Sequence, residues 1–87
     1  MPNNVREQTV PKIKDAVREA GGAAAVAREL NMSRISVYEW VKKDEIPDKR
    51  VIPLARLTGW KYTPHMLAPS LYPNPSDGIP SLMLGSA

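Results

Sequence analysis

The sequence predicts an all-α fold: four to five short helices around one small core, with disordered segments at both ends. Three observations predict it. Apolar residues recur at helical spacing, glycine and proline punctuate the chain between those stretches, and no alternating apolar–polar run reads as a strand. A chain of 87 residues is one domain at most. It divides into a flexible arm over residues 1–8, a helical domain over residues 9–68, and a Pro- and Ser-rich tail over residues 69–87.

The first helix begins near Thr9, whose hydroxyl suits a cap, with Pro11 tolerated in the first turn. Ile13, Ala16, Val17 and Ala20 follow at i, i+3, i+4 and i+7, one face of a helix. Gly21 and Gly22 end it, because glycine accepts the left-handed conformation that a helix stop needs. A second helix runs from Ala23 to about Leu30. Its alanines favour helix and allow close approach, and Val26, Ala27 and Leu30 form its buried face. Ser33 is a good N-cap for a third helix reaching about Lys43, with Val37, Trp40 and Val41 turned inward.

Residues 48–58 read as a fourth helix, supplied by Ile52, Leu54, Ala55 and Leu57. Pro53 lacks an N–H and crowds the preceding turn, so residues 48–51 are expected to be loose and only the remainder regular. Gly59 closes the element. Thr63 and Pro64 are a cap and a first helical residue, which predicts one short further turn to about Leu67. From Pro69 the chain is rich in proline, glycine and serine, and reads as extended and then disordered. Ile79, Leu82, Met83 and Leu84 make its end apolar, which reads as a floppy terminus first and, as the alternative, as a segment that docks on a partner or a sister chain.

Composition removes several function classes. There is no cysteine, so disulfides and thiolate zinc sites are excluded. A single histidine, His65, leaves no histidine cluster for a metal, and no cofactor is implied. A packing or hydrogen-bonding role is expected for His65, and Tyr72 is expected to pin the tail to the domain. No glycine-rich phosphate loop is present and the carboxylates are scattered, so an enzyme is not expected. No apolar run approaches the roughly 18 residues of a membrane span, and no signal-peptide pattern opens the chain. The absence of cysteine fits a reducing cytosol. All twelve Lys and Arg residues lie between Arg6 and Lys61, while Asp77 is the one charged residue after Lys61. A basic domain with an almost uncharged tail is compatible with a nucleic-acid partner.

The stretch "AVARELNMSRISVYEW", residues 25–40, concentrates these signals. A helix-turn-helix needs a small residue where its helices meet, a positive-φ residue in its turn, and apolar residues filling its interior. Ala27 supplies the first. Asn31 supplies the second, since asparagine tolerates the left-handed region better than other non-glycine residues. Val26, Leu30, Met32, Val37 and Trp40 supply the third.

Residues 12–73 resemble the phage Cro-like, YdaS-type family of helix-turn-helix regulators. The resemblance is carried by "GGAAAVARELNMSRISVYEW", by the proline-led "IPDKRVIPLARLTG", and by the ending "TPHMLAPSLYP", where Thr63, His65, Leu67, Pro69, Leu71, Tyr72 and Pro73 match the family's pattern. Members tend to have glycine or another small residue where Trp60 stands, and often charged residues in place of Ala68 and Ser70. The start of the second helix, Ala23 and Ala24, lacks the polar residue that many helix-turn-helix proteins use to contact phosphate, leaving backbone N–H groups for that contact.

The resemblance implies a lambda-repressor-like, Cro-like domain that binds double-stranded DNA, a transcription regulator acting in the cytoplasm on the nucleoid. Its third helix would enter the major groove and present Arg34, Ile35, Ser36 and Glu39 to base edges. Arg34 suits guanine, Ile35 a thymine methyl, and Glu39 either cytosine N4 or the orientation of Arg34. Ser33, Tyr38, Lys42, Lys43, Lys49 and Arg50 would meet phosphate or sugar and set the register. Arg6, in the arm, is placed to reach a neighbouring groove. A domain this small reads few base pairs, so a homodimer on a palindromic operator is expected, formed in solution or on DNA alone. The alternative is an antitoxin-like or adaptor module that uses the bundle and the C-terminal tail to bind a protein partner.

Overall fold

The computed structural model describes residues 12–80, which form α1 (Lys12–Glu19), α2 (Ala23–Glu29), α3 (Arg34–Lys43), a 3-10 turn (Asp48–Arg50), α4 (Val51–Leu57) and α5 (Pro64–Leu67). The expected Thr9 cap, Pro11, the N-terminal arm with Arg6, and Leu82, Met83 and Leu84 lie outside the described residues. The described part is all-α, as expected.

One core joins the helices. Ile13, Ala16 and Val17 of α1, Val26 and Ala27 of α2, Val37 and Trp40 of α3, Val51, Leu54 and Ala55 of α4, and Leu67 of α5 are all buried in it. These buried positions of α1–α4 all lie on the faces read from the sequence, Val51 excepted, while Ala20, Leu30 and Val41 of those faces are only partly covered. Val51 is fully buried, whereas Ile52 and Leu57 are only partly covered. The 3-10 turn ends at Arg50, so the α-helical register starts at Val51 and buries Val51, Leu54, Ala55 and Thr58 at i, i+3, i+4 and i+7. Pro53 then falls in the first turn of α4, where its missing N–H has no intrahelical partner to lose. Thr58 is buried but satisfied: its hydroxyl donates to the Ala55 carbonyl at 2.7 Å and accepts from the Tyr62 N–H at 3.1 Å.

The first four helices stop in one way. A left-handed residue follows each, and the next N–H reaches back five residues to a carbonyl: Gly22 to Val17, Met32 to Ala27, Glu45 to Trp40, and Trp60 to Ala55, at 2.9 to 3.1 Å. This is the Schellman arrangement, which satisfies carbonyls that a helix end leaves without partners. The left-handed residues are Gly21, Asn31, Asp44 and Gly59. Asn31 at φ 56° fulfils the expectation from sequence. Asp44 at φ 55° was not anticipated, and neither was Trp60 at φ 65° directly after Gly59. Asp44 also works at a distance: its carboxylate accepts the Ile13 N–H at 3.0 Å, so the end of α3 caps the start of α1.

Thr63 caps α5 as expected, accepting from the Met66 N–H at 3.2 Å. The run after Pro69 is a series of turns, not the extended segment its composition suggested. The Leu71 and Tyr72 N–H groups both donate to the Ala68 carbonyl, and the Asn74 N–H donates to the Asp77 carboxylate at 2.9 Å. These local bonds curl the chain back onto α5. Tyr72 packs on the core, its carbonyl meets His65 Nδ1 at 2.8 Å, and a Cβ at Gly78 would stand 2.8 Å from Pro64 Cγ. His65 and Tyr72 thus hold the packing roles expected of them.

Candidate nucleic-acid interface

The candidate site is the outer face of α3, and three local features set it. The left-handed Asn31 turns the chain sharply after α2. Met32, the residue after it, packs against the core, as does Leu30. Ser33 is extended at φ −85°, ψ 150°, and its Oγ accepts the Ser36 N–H at 3.2 Å, which fixes where α3 begins. Val37 and Trp40 then anchor α3 inward, with Val41 partly covered. Everything opposite them faces outward.

On that outer face Arg34, Ile35, Tyr38, Glu39, Lys42 and Lys43 are exposed. Ile35 is 71 % exposed and Tyr38 55 %, the two most exposed large hydrophobic side chains among the described residues. Neither is needed by the core. Ser33 and Ser36 are paired, Oγ to Oγ at 3.2 Å, so the Ser33 hydroxyl serves the cap. The Ser36 O–H remains able to donate.

Among the described residues, the basic side chains of this face enter no ion pair. Among the described residues the ion pairs are Asp15 with Arg18, Glu29 with Arg28, and Glu19 with Lys61. Arg34, Lys42, Lys43 and Lys49 are in none of them, and no bond among the described residues ties Glu39 to Arg34. Lys49 is exposed just before α4. Arg50 differs from its neighbour: it is half-buried, and its guanidinium donates to the Leu30 carbonyl at 3.4 Å. The start of α2 carries no side-chain cap, its N-cap position being Gly22.

Beside this face, Glu39, Trp40, Lys43, Glu45, Ile46 and Pro47 line a shallow cavity of about 230 Å³. Among the described residues, no group of three or more His, Cys, Asp or Glu is arranged to hold a metal ion. No helix among them is long and apolar enough to cross a membrane.

A family profile described as "Bacterial toxin YdaS" matches residues 13–76. The chain belongs to the YdaS family. The match starts in α1 and takes in the whole α2–α3 corner, the 3-10 turn, α4, α5 and the turns that carry Tyr72. The YdaS unit therefore includes residues 69–76, which fits their return onto α5. No curated protein matches the chain, and no solved structure does.

Proposed function

We propose that this YdaS-family chain is a sequence-specific DNA-binding transcription regulator, a phage- or prophage-type repressor that binds a palindromic operator as a homodimer. The observation that carries the reading is the outer face of α3. A helix fixed at its start by Asn31 and Ser33 presents an exposed Arg34, in no ion pair among the described residues, and a 71 % exposed Ile35 in its first turn. An arginine and an aliphatic side chain are what guanine N7 and O6 and a thymine methyl require.

In this reading α3 lies in the major groove. Arg34, Ile35, Ser36 and Glu39 meet base edges, while Ser33, Tyr38, Lys42, Lys43 and Lys49 meet the phosphate backbone. Two copies engage half-sites roughly 34 Å apart, one helical turn of DNA. No catalysis and no cofactor enter the account, and the nucleoid is the place of action. The word toxin in the family's description names an effect on a cell and not a chemistry; a regulator that silences an essential promoter has that effect.

A second reading, an interaction module acting on a protein, is favoured by Met66 and Leu71, exposed apolar side chains on and just after α5. Selection of bound duplexes from a random pool separates the two. The regulator enriches a palindrome, and its Arg34→Ala variant loses preference at one position of each half-site while keeping the fold. No enrichment from the pool would leave the protein-binding reading in its place.

A further inference from the structure

We infer that Arg50 is a positioning residue that braces the corner between α2 and α3, rather than a ligand of the phosphate backbone. The inference rests on the DNA-binding reading for its consequence but not for its geometry. Arg50 stands at the end of the 3-10 turn, twenty positions along the chain from Leu30, yet its Nη1 donates to the Leu30 carbonyl at 3.4 Å. That carbonyl receives no backbone N–H among the described residues. It belongs to the peptide group joining Leu30 to Asn31, and Asn31 is the left-handed pivot on which α3 swings away from α2. Gripping this peptide opposes rotation about Leu30 ψ and Asn31 φ, the two dihedrals that set the direction of α3.

The surroundings separate Arg50 from the lysines. Lys42, Lys43 and Lys49 are exposed, whereas Arg50 is half-buried. A guanidinium holds a carbonyl with a planar, pre-organised set of donors, and its charge sits at the C-terminal end of α2, where a cation is favoured. A lysine offers a flexible point charge, which serves a phosphate well and a brace poorly.

The test uses the full chain with Arg50→Ala, Arg50→Lys and Lys49→Ala, and reads two quantities. The first is amide hydrogen exchange without DNA. Arg50→Ala and Arg50→Lys should both accelerate exchange at Asn31 and Met32 by about three- to tenfold, the scale of one net hydrogen bond, with α1 and α4 unchanged. The second is the dependence of DNA affinity on salt. Arg50→Ala should weaken binding by the same factor at every salt concentration, leaving the log–log slope at its wild-type value. Lys49→Ala should flatten that slope by about 0.9, one phosphate contact. The inference is overturned if Arg50→Ala flattens the slope by that amount, if Arg50→Lys restores wild-type behaviour, or if protection falls uniformly along the chain in both variants. Should the wild-type protein bind no DNA, the proposed function fails, and the exchange data still decide whether Arg50 holds the corner.

Discussion

Asp44 performs two tasks that point mutations can separate. Its backbone occupies the left-handed region at φ 55°, and its side chain accepts the Ile13 N–H at 3.0 Å across 31 positions of sequence. Alanine at this place loses both. An N-cap-type hydrogen bond contributes about 1 kcal/mol, and a Cβ-bearing residue without a local polar group is strained in the left-handed region by about 1–2 kcal/mol. Asp44→Ala should therefore destabilise by about 2–3 kcal/mol. Glycine loses the bond and relieves the strain, for a net loss of about 1 kcal/mol or less. Asparagine keeps an acceptor oxygen and the left-handed tolerance. The negative charge of Asp44 is favourable at the start of α1 and unfavourable at the end of α3, so removing it is nearly neutral. In a domain this small each kcal/mol shifts Tm by about 4–8 °C, which gives a drop of roughly 10–20 °C for Asp44→Ala. Thermal unfolding followed by circular dichroism at neutral pH reads the series. The expected order is wild type close to Asn, then Gly, then Ala. Equal Tm values for Gly and Ala would refute the left-handed argument, and an Asn variant as unstable as Ala would refute the capping one.

Asn31→Gly should be neutral or stabilising by up to about 1 kcal/mol, because glycine meets the same φ without strain; a marked loss of Tm would contradict the Schellman stop at α2. Replacing half-site thymines by deoxyuridine removes only a methyl group, so wild-type affinity should fall about fourfold per contacted methyl, from about 0.8 kcal/mol of lost apolar burial. Ile35→Ala should be indifferent to that replacement; equal responses of the two proteins would remove Ile35 from the base-reading set. Burial first, and then the neighbouring Asp15 carboxylate, hold the Tyr62 phenol above its usual pKa. A raised folded-state value means the neutral phenol is preferred in the fold, so its contribution is complete below about pH 10 and is lost as pH rises through the folded value. Tyr62→Phe should show a shallower decline of stability above about pH 10, measured by urea unfolding at stepped pH; an unchanged decline would place the alkaline loss elsewhere.

The local parts of this fold were readable because each is written in neighbouring residues. The apolar stripe of α1, the Ser33 and Thr63 caps, the glycine and asparagine stops, and the loosened start before Pro53 all depend on a few positions in sequence. The parts that escaped depend on distant partners or on exact register. Val51 was missed because the switch from 3-10 to α geometry at Arg50 decides which residues face inward. The Asp44–Ile13 and Arg50–Leu30 ties link segments that only the folded chain brings together. Residues 69–80 look like a tail by composition, yet their prolines and polar residues build turns that return Tyr72 and Gly78 to the domain. Trp60 stands at a φ of 65° directly after Gly59, a conformation that its residue type does not signal. At the candidate site, the outward side chains of α3 followed from the inward pair Val37 and Trp40. The distinction between Lys49 and Arg50 did not, because a basic pair reads the same whether one member faces solvent or grips a carbonyl.

If the outer face of α3 reads DNA, the protein distinguishes one duplex from another by sequence. Fluorescence anisotropy of the purified protein tests it most directly, with duplex from the region upstream of its own reading frame, a shuffled duplex of equal composition, and a series of salt concentrations. Binding to the upstream duplex should be the tighter, with affinity falling by a log–log slope of about −0.9 for each phosphate neutralised. Equal weak binding to both duplexes, or none at any salt, would contradict it.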